Sequence, residues 1–137
     1  MSFFSDLLEK PPNLSAASKY TVMNGVLYMG AGALLVVWPA AVQVLLRDPA
    51  FVGHEGALIR AMGLTVVVIG WLYVWGGRSG ARQFVVSTVI DRIVFVPAVL
   101  LPLALAGVFP HLFVTFTILD VVLAIGALVL RSREPSL

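Results

Sequence analysis

The chain is expected to be all-α, an integral membrane four-helix bundle with both termini cytoplasmic, and three observations predict this. Of its 137 residues, 60% are hydrophobic and only 12% are charged, and the mean hydropathy of +1.01 is that of a membrane protein. Apolar runs of about 20 residues, the length needed to cross a bilayer core as a helix, follow one another with short interruptions. The basic residues stand at the ends of those runs rather than on one polar face, so the formal charge of +2 reads as a topology signal and not as a nucleic-acid surface.

Residues 1–19 form a polar tail in which Phe3, Phe4, Leu7 and Leu8 recur at helical spacing. This predicts a short amphipathic helix over 2–10 lying on the membrane surface, stopped by Pro11 and Pro12. The apolar run that follows is too long for a secretory signal and lacks a small-residue cleavage site. Four spans are expected at about 20–38, 57–75, 84–106 and 112–130, with 131–137 as a tail. Pro39 marks a break after the first span, and AAVQVLL continues as a tilted extension. Four spans put both termini on one side. Lys10, Lys19, Arg78, Arg82, Arg131 and Arg133 lie on that side and only Arg47 in a loop opposite, which makes the terminal side cytoplasmic. Trp71, Tyr73 and Trp75 are expected at the inner headgroup boundary and Trp38 at the outer one.

Between helices in lipid there is little hydrophobic driving force, so small residues that admit close approach become the adhesive. Gly56, Gly63, Gly70 and Gly77 recur every seven residues in the second span, and Gly25 and Gly32 repeat the spacing in the first. A seven-residue repeat stays close to one helix face. The two strips are expected to face each other, antiparallel; an oligomer interface or a substrate passage is the alternative.

Arg60, Asp91, Arg92 and Asp120 fall inside the spans. Each would cost about 3 kcal/mol at the bilayer centre even on the lenient insertion scale, so all four should face the interior and pair. Depth along antiparallel helices favours Arg92 with Asp120. Asp91 is then expected to be held by Ser87 or Thr88 one turn earlier, or by Asn24 on the first helix. Arg60 can reach toward Asp120 or snorkel outward. Pro97 and Pro102 should bend the third span above the cluster and open a pocket. Two readings of this cluster stand side by side: a salt bridge that fixes helix register, or a polar pocket that holds the head of an amphipathic ligand or relays a proton.

The chain has no cysteine, which removes disulfides, thiolate metal sites and thiol nucleophiles. His54 and His111 fall in outer loops with only Glu55 nearby, a poor metal or haem set. No GxSxG or phosphate loop occurs. GGRSG at 76–80 is a glycine-rich turn with one Arg, where a headgroup could rest. No catalytic residue, metal or cofactor is therefore expected, and no feature raises an enzyme.

RAMGLTVVVIGWLYVWGGR at 60–78 and DRIVFVP at 91–97 resemble the small bacterial four-helix membrane proteins of the DoxX-like and BphX-like type, which also place an Arg and spaced glycines in the second span. The resemblance implies location in the bacterial inner membrane and partnership with a redox enzyme, and transfers no catalytic residue. The function expected is a binding or accessory module that holds a lipid-like or quinone-like molecule near the buried polar cluster of Arg60, Asp91, Arg92, Asp120, Ser87 and Asn24. Its partners would be membrane lipids, a second copy of the chain or a membrane enzyme, with no nucleic acid. The alternative is an oligomeric proton-coupled transporter or channel subunit, with Asp91 and Asp120 titrating.

Overall fold

A computed structural model describes residues 3–9 and 13–135. It contains no strand among the described residues. α1 (Phe3–Leu8) exposes Phe3, Phe4 and Leu8, and residues 2 and 10 of the expected surface helix, with the two prolines expected to stop it, lie outside the described ones. α2 (Ala16–Val37) is started by Ser15, whose Oγ accepts from the Ser18 N–H at 3.1 Å, the role a serine plays at a helix start. It ends before Pro39, which opens α3 (Pro39–Leu46) at the position where its missing N–H costs nothing.

α4 (Glu55–Arg78) and α7 (Pro110–Ser132) are continuous, whereas the third span is composite: α5 (Arg82–Ile90), a π-helical turn (Asp91–Phe95) and α6 (Val96–Leu105). Among the described residues, four stretches, Ala16–Val37, Glu55–Arg78, Arg82–Leu105 and Pro110–Ser132, are long and apolar enough to cross a membrane. Each runs past the apolar run expected for it at both ends or at one, because the helices continue into their polar flanks. Aliphatic side chains face outward all round, Leu105 at 89% exposure among them. Surface of that kind suits lipid as solvent, and four such helices suggest a multi-pass membrane protein.

α2 lies at the centre and touches α4, α5 and α7. Its seam with α4 is the most extensive in the bundle and is the pair of glycine strips. A Cβ on Gly25 would lie 2.6 Å from the Gly70 carbonyl oxygen, and one on Gly32 would lie 2.5 Å from that of Gly63. The pairing of low with high numbers makes the helices antiparallel, backbone on backbone. Gly77 continues the strip against Ser18 and Val22, while Gly56 meets only Phe51 at 3.8 Å and stands outside the seam.

The third span is interrupted at Asp91 and Arg92 themselves rather than above them, by a π-turn placed ahead of Pro97. The Val96 N–H donates to the Asp91 carbonyl, five residues back. Pro97 has no N–H to donate and its ring crowds the carbonyl of Ile93, so the wider turn relieves both. Pro102 sits inside α6 without a break. The extra residue in the turn resets the buried face. Val85, Thr88, Val89 and Arg92 point inward at helical spacing. Continued, that series would bury Phe95 and Val99, yet these are 62% and 58% exposed, and Ala104 is turned in instead.

Carboxylates from distant segments cap the helix starts. Asp48, buried in the loop after α3, accepts from the N–H groups of His111 at 2.9 Å and Leu112 at 2.8 Å. It thus stabilises the first turn of α7, which Phe109 enters with a left-handed φ of 40° and no side-chain cap of its own. At the opposite end Glu134 accepts from the Ala17 N–H at 3.3 Å.

Candidate functional site

Arg92 is the largest fully buried side chain, 1% exposed. The turn that follows Thr88 aims its guanidinium back along α5, where Nε donates to the Thr88 carbonyl at 3.0 Å and one terminal nitrogen to Thr88 Oγ1 at 3.2 Å. Thr88 Oγ1 in turn donates to the Val85 carbonyl at 2.7 Å. Oriented by its neighbours, the Asn24 amide accepts from the other terminal nitrogen at 3.0 Å and donates to the Tyr20 carbonyl at 3.3 Å. The guanidinium carbon lies 5.2 Å from the centre of the Tyr73 ring, within cation–π range.

Two of the expected pairings are corrected. No carboxylate among the described residues lies within 4.0 Å of Arg92, so the Arg92–Asp120 ion pair does not form. Asp120 accepts from Tyr28 Oη at 2.6 Å, a short bond for two oxygens. Asp91, half-buried, accepts from Tyr73 Oη at 3.1 Å, and not from Ser87, Thr88 or Asn24. The physical reason is reach: tyrosines on α2 and α4 project across the bundle to the carboxylates, while Thr88 and Asn24 are spent on the arginine. Tyr28 and Tyr73 meet edge to face at 5.5 Å, joining the two halves.

Arg60 is not part of this assembly. It is exposed and donates to the Val36 carbonyl at 2.6 Å, closing the end of α2 where the chain breaks before Pro39. Ser87 is exposed on the opposite side of α5 from the arginine's inward face. The structure therefore brings together Asn24, Thr88, Arg92 and Asp120 with Asp91 at the margin, adds Tyr28 and Tyr73, and leaves Arg60 and Ser87 outside. Tyr73 was expected at the headgroup boundary and instead is 6% exposed and faces inward. With Arg60 displaced, the local inventory is one guanidinium between two carboxyl groups rather than a balanced four.

The assembly borders two clefts. α4 and the composite third span touch mainly at the turn that joins them, and they leave a groove at the side of the bundle. Its part nearer the termini has a volume of about 750 Å³ and is lined by Tyr73, Phe84, Ser87 and Asp91 with Arg82 and Arg131 at the mouth. A second part of about 310 Å³ is lined by Met62, Val99, Leu100 and Phe113, with Asp120 at its floor. The two share Ile69 and Phe95. Arg92 lies between Asp91, which opens on the first, and Asp120, which opens on the second.

His111 is tied to the far end of the bundle, with Nδ1 2.9 Å from the Leu46 carbonyl, and no group of three His, Cys, Asp or Glu suited to a metal occurs among the described residues. The class of protein so defined is a multi-pass helical bundle with a polar centre and a lateral groove. No family model, curated protein or solved structure matches this chain.

Proposed function

We propose that the protein is a binding or accessory module of the bacterial inner membrane, termini in the cytoplasm, that takes a lipid-like or quinone-like molecule from the bilayer into the groove between α4 and the third span. The observation that carries this is the coincidence of an apolar side opening with a hydrogen-bonding centre, Tyr73–Asp91, at its inner wall. A concave, mostly apolar site with a few convergent polar groups is the form small-molecule sites take. Here the side opening gives access from lipid without passage through water. The excess of basic residues at the terminal end supports the orientation. Tyr73 and Asp91 supply one donor–acceptor pair, able to re-pair with a hydroxyl or carbonyl on the ligand.

Native mass spectrometry of the protein released from nanodiscs tests this. One retained small-molecule mass per chain is expected, lost in Asp91→Asn and in Phe95→Trp, which fills the junction of the clefts. Retention of the same mass by both variants would refute the site.

A second reading is favoured by one feature: two carboxyl groups, one opening on each cleft, flank a single buried arginine. That is an arrangement through which a proton-coupled carrier could pass charge. Proton flux in liposomes abolished by Asp91→Asn or Asp120→Asn, with the fold intact, would select it.

A further inference from the structure

We infer that the part of the groove nearer the termini is a site for an anionic phospholipid of the leaflet on that side, with its phosphate held by Arg82 and Arg131. The inference rests on the groove's being a ligand site and adds the chemistry of the headgroup. Both arginines line the mouth of the 750 Å³ cleft. Arg131 has no carboxylate within 4.0 Å among the described residues, and its buried Nε has no hydrogen-bond acceptor. Arg82 spends one terminal nitrogen on the Pro135 carbonyl at 2.8 Å and keeps the rest of its fork. A guanidinium left without an acceptor at a membrane boundary matches a phosphate oxygen.

The same mouth is the start of α5, which no side chain caps, so the positive end of the helix adds to the two cations. The cleft then becomes apolar along Phe84, Ile90, Ile69 and Phe95. From Arg82 to Phe95 the rise is roughly 20 Å at 1.5 Å per residue, the depth of one leaflet with its headgroup layer. Asp91, roughly 13 Å along that path, would repel a phosphate brought deeper. The charges therefore orient the lipid, with its head at the arginines and its chain beside Tyr73 and Phe95.

The test is competitive retention in native mass spectrometry, with phosphatidylglycerol and phosphatidylcholine of identical chains offered in equal amounts. Wild type should retain one phosphatidylglycerol in roughly thirtyfold preference, the scale set by two basic side chains at an anionic headgroup. The double variant Arg82→Gln with Arg131→Gln, verified as folded by circular dichroism, should retain either lipid equally. Ser87→Trp, which fills the cleft, should retain neither. As a control, Lys19→Gln with Arg133→Gln removes two exposed charges outside the cleft and should keep the preference.

If wild type binds both lipids equally and Ser87→Trp releases them, the groove binds a lipid without selecting a net anionic headgroup, and only this inference fails. No retained lipid, or retention untouched by Ser87→Trp, would overturn the groove itself. Loss of preference in the control pair would make the selectivity a property of the basic rim and overturn the site. Displacement of the phosphatidylglycerol by millimolar inorganic phosphate alone would assign the arginines to a free anion.

Discussion

Gly70→Ala should destabilise the bundle, whereas the same methyl group added at Gly30 should not. The added Cβ would lie 2.5 Å from the Gly25 carbonyl oxygen, 2.6 Å from the Met29 backbone nitrogen and 2.7 Å from Met29 Cγ. Ordinary carbon contacts begin near 3.5 Å, so α2 and α4 must part by about 1 Å over their closest approach. Two of the three obstructing atoms are backbone and cannot swing aside. Overpacking of this kind costs about 1–3 kcal/mol, and the value should fall toward the upper end because separating the helices also loosens the neighbouring Gly32–Gly63 contact. Gly30→Ala is the matched control, since nothing lies within 4 Å of its added Cβ, and replacing a helical glycine gains up to about 1 kcal/mol. Gly25→Ala with Gly70→Ala should cost less than the sum of the singles, because one separation accommodates both methyls. Thermal unfolding in a mild detergent, followed by circular dichroism, reads all four. A Gly70→Ala variant as stable as Gly30→Ala would refute the close seam.

Tyr28→Phe leaves Asp120 without its 2.6 Å hydrogen bond and should cost about 1–3 kcal/mol; a double-mutant cycle with Asp120→Ala, which keeps no side-chain acceptor, should show coupling, and strict additivity would count against the bond. Arg92→Leu strands the acceptors on Thr88 and Asn24 and removes the buried cation from between two carboxyl groups; a loss of about 1–3 kcal/mol for each stranded acceptor is expected. Arg92→Lys should recover only part of it, because an ammonium cannot bond Thr88 and Asn24 and also lie over Tyr73 as the planar fork does. Asp48→Ala should cost about 1–2 kcal/mol, measured by the same unfolding assay, by uncapping α7, and Asp48→Asn should recover only part of it, because the His111 and Leu112 amides use both carboxylate oxygens and an amide NH2 cannot accept.

The spans, the break at Pro39 and the glycine seam were legible because each depends on local composition or on a period that one helix displays by itself. Gly25, Gly32, Gly63, Gly70 and Gly77 could be matched across two helices for the same reason. The polar centre was legible in its membership but not in its bonds. Formal charges drew attention to Arg60, which depth along the chain leaves near the far end of α4, bonded to Val36. Tyr73 was expected at the headgroup boundary and Tyr28 was not singled out, yet a signal was there. Thr21, Asn24 and Tyr28 share the face of α2 that carries Gly25 and Gly32, so polar groups were pointed into the tightest seam of the bundle. A polar residue buried there must find a partner, which Tyr28 has on α7 and Asn24 on the third span, while Thr21 bonds its own helix at Ala17. The π-turn was beyond reach of a regular 3.6-residue period, which has no place for one extra residue. Asp48 was beyond it too, because its partners are the amides of His111 and Leu112, 63 and 64 positions away, and remote capping leaves no spacing pattern.

The most direct test of the groove as a lipid-access site is photo-cross-linking in nanodiscs with a fatty-acyl diazirine amphiphile, the adducts mapped by peptide mass spectrometry. The account predicts adducts concentrated on residues 62–69 and 95–100 and suppressed by excess unlabelled amphiphile. Adducts spread evenly over outward-facing residues such as Val26 and Val122, and unaffected by the competitor, would contradict it.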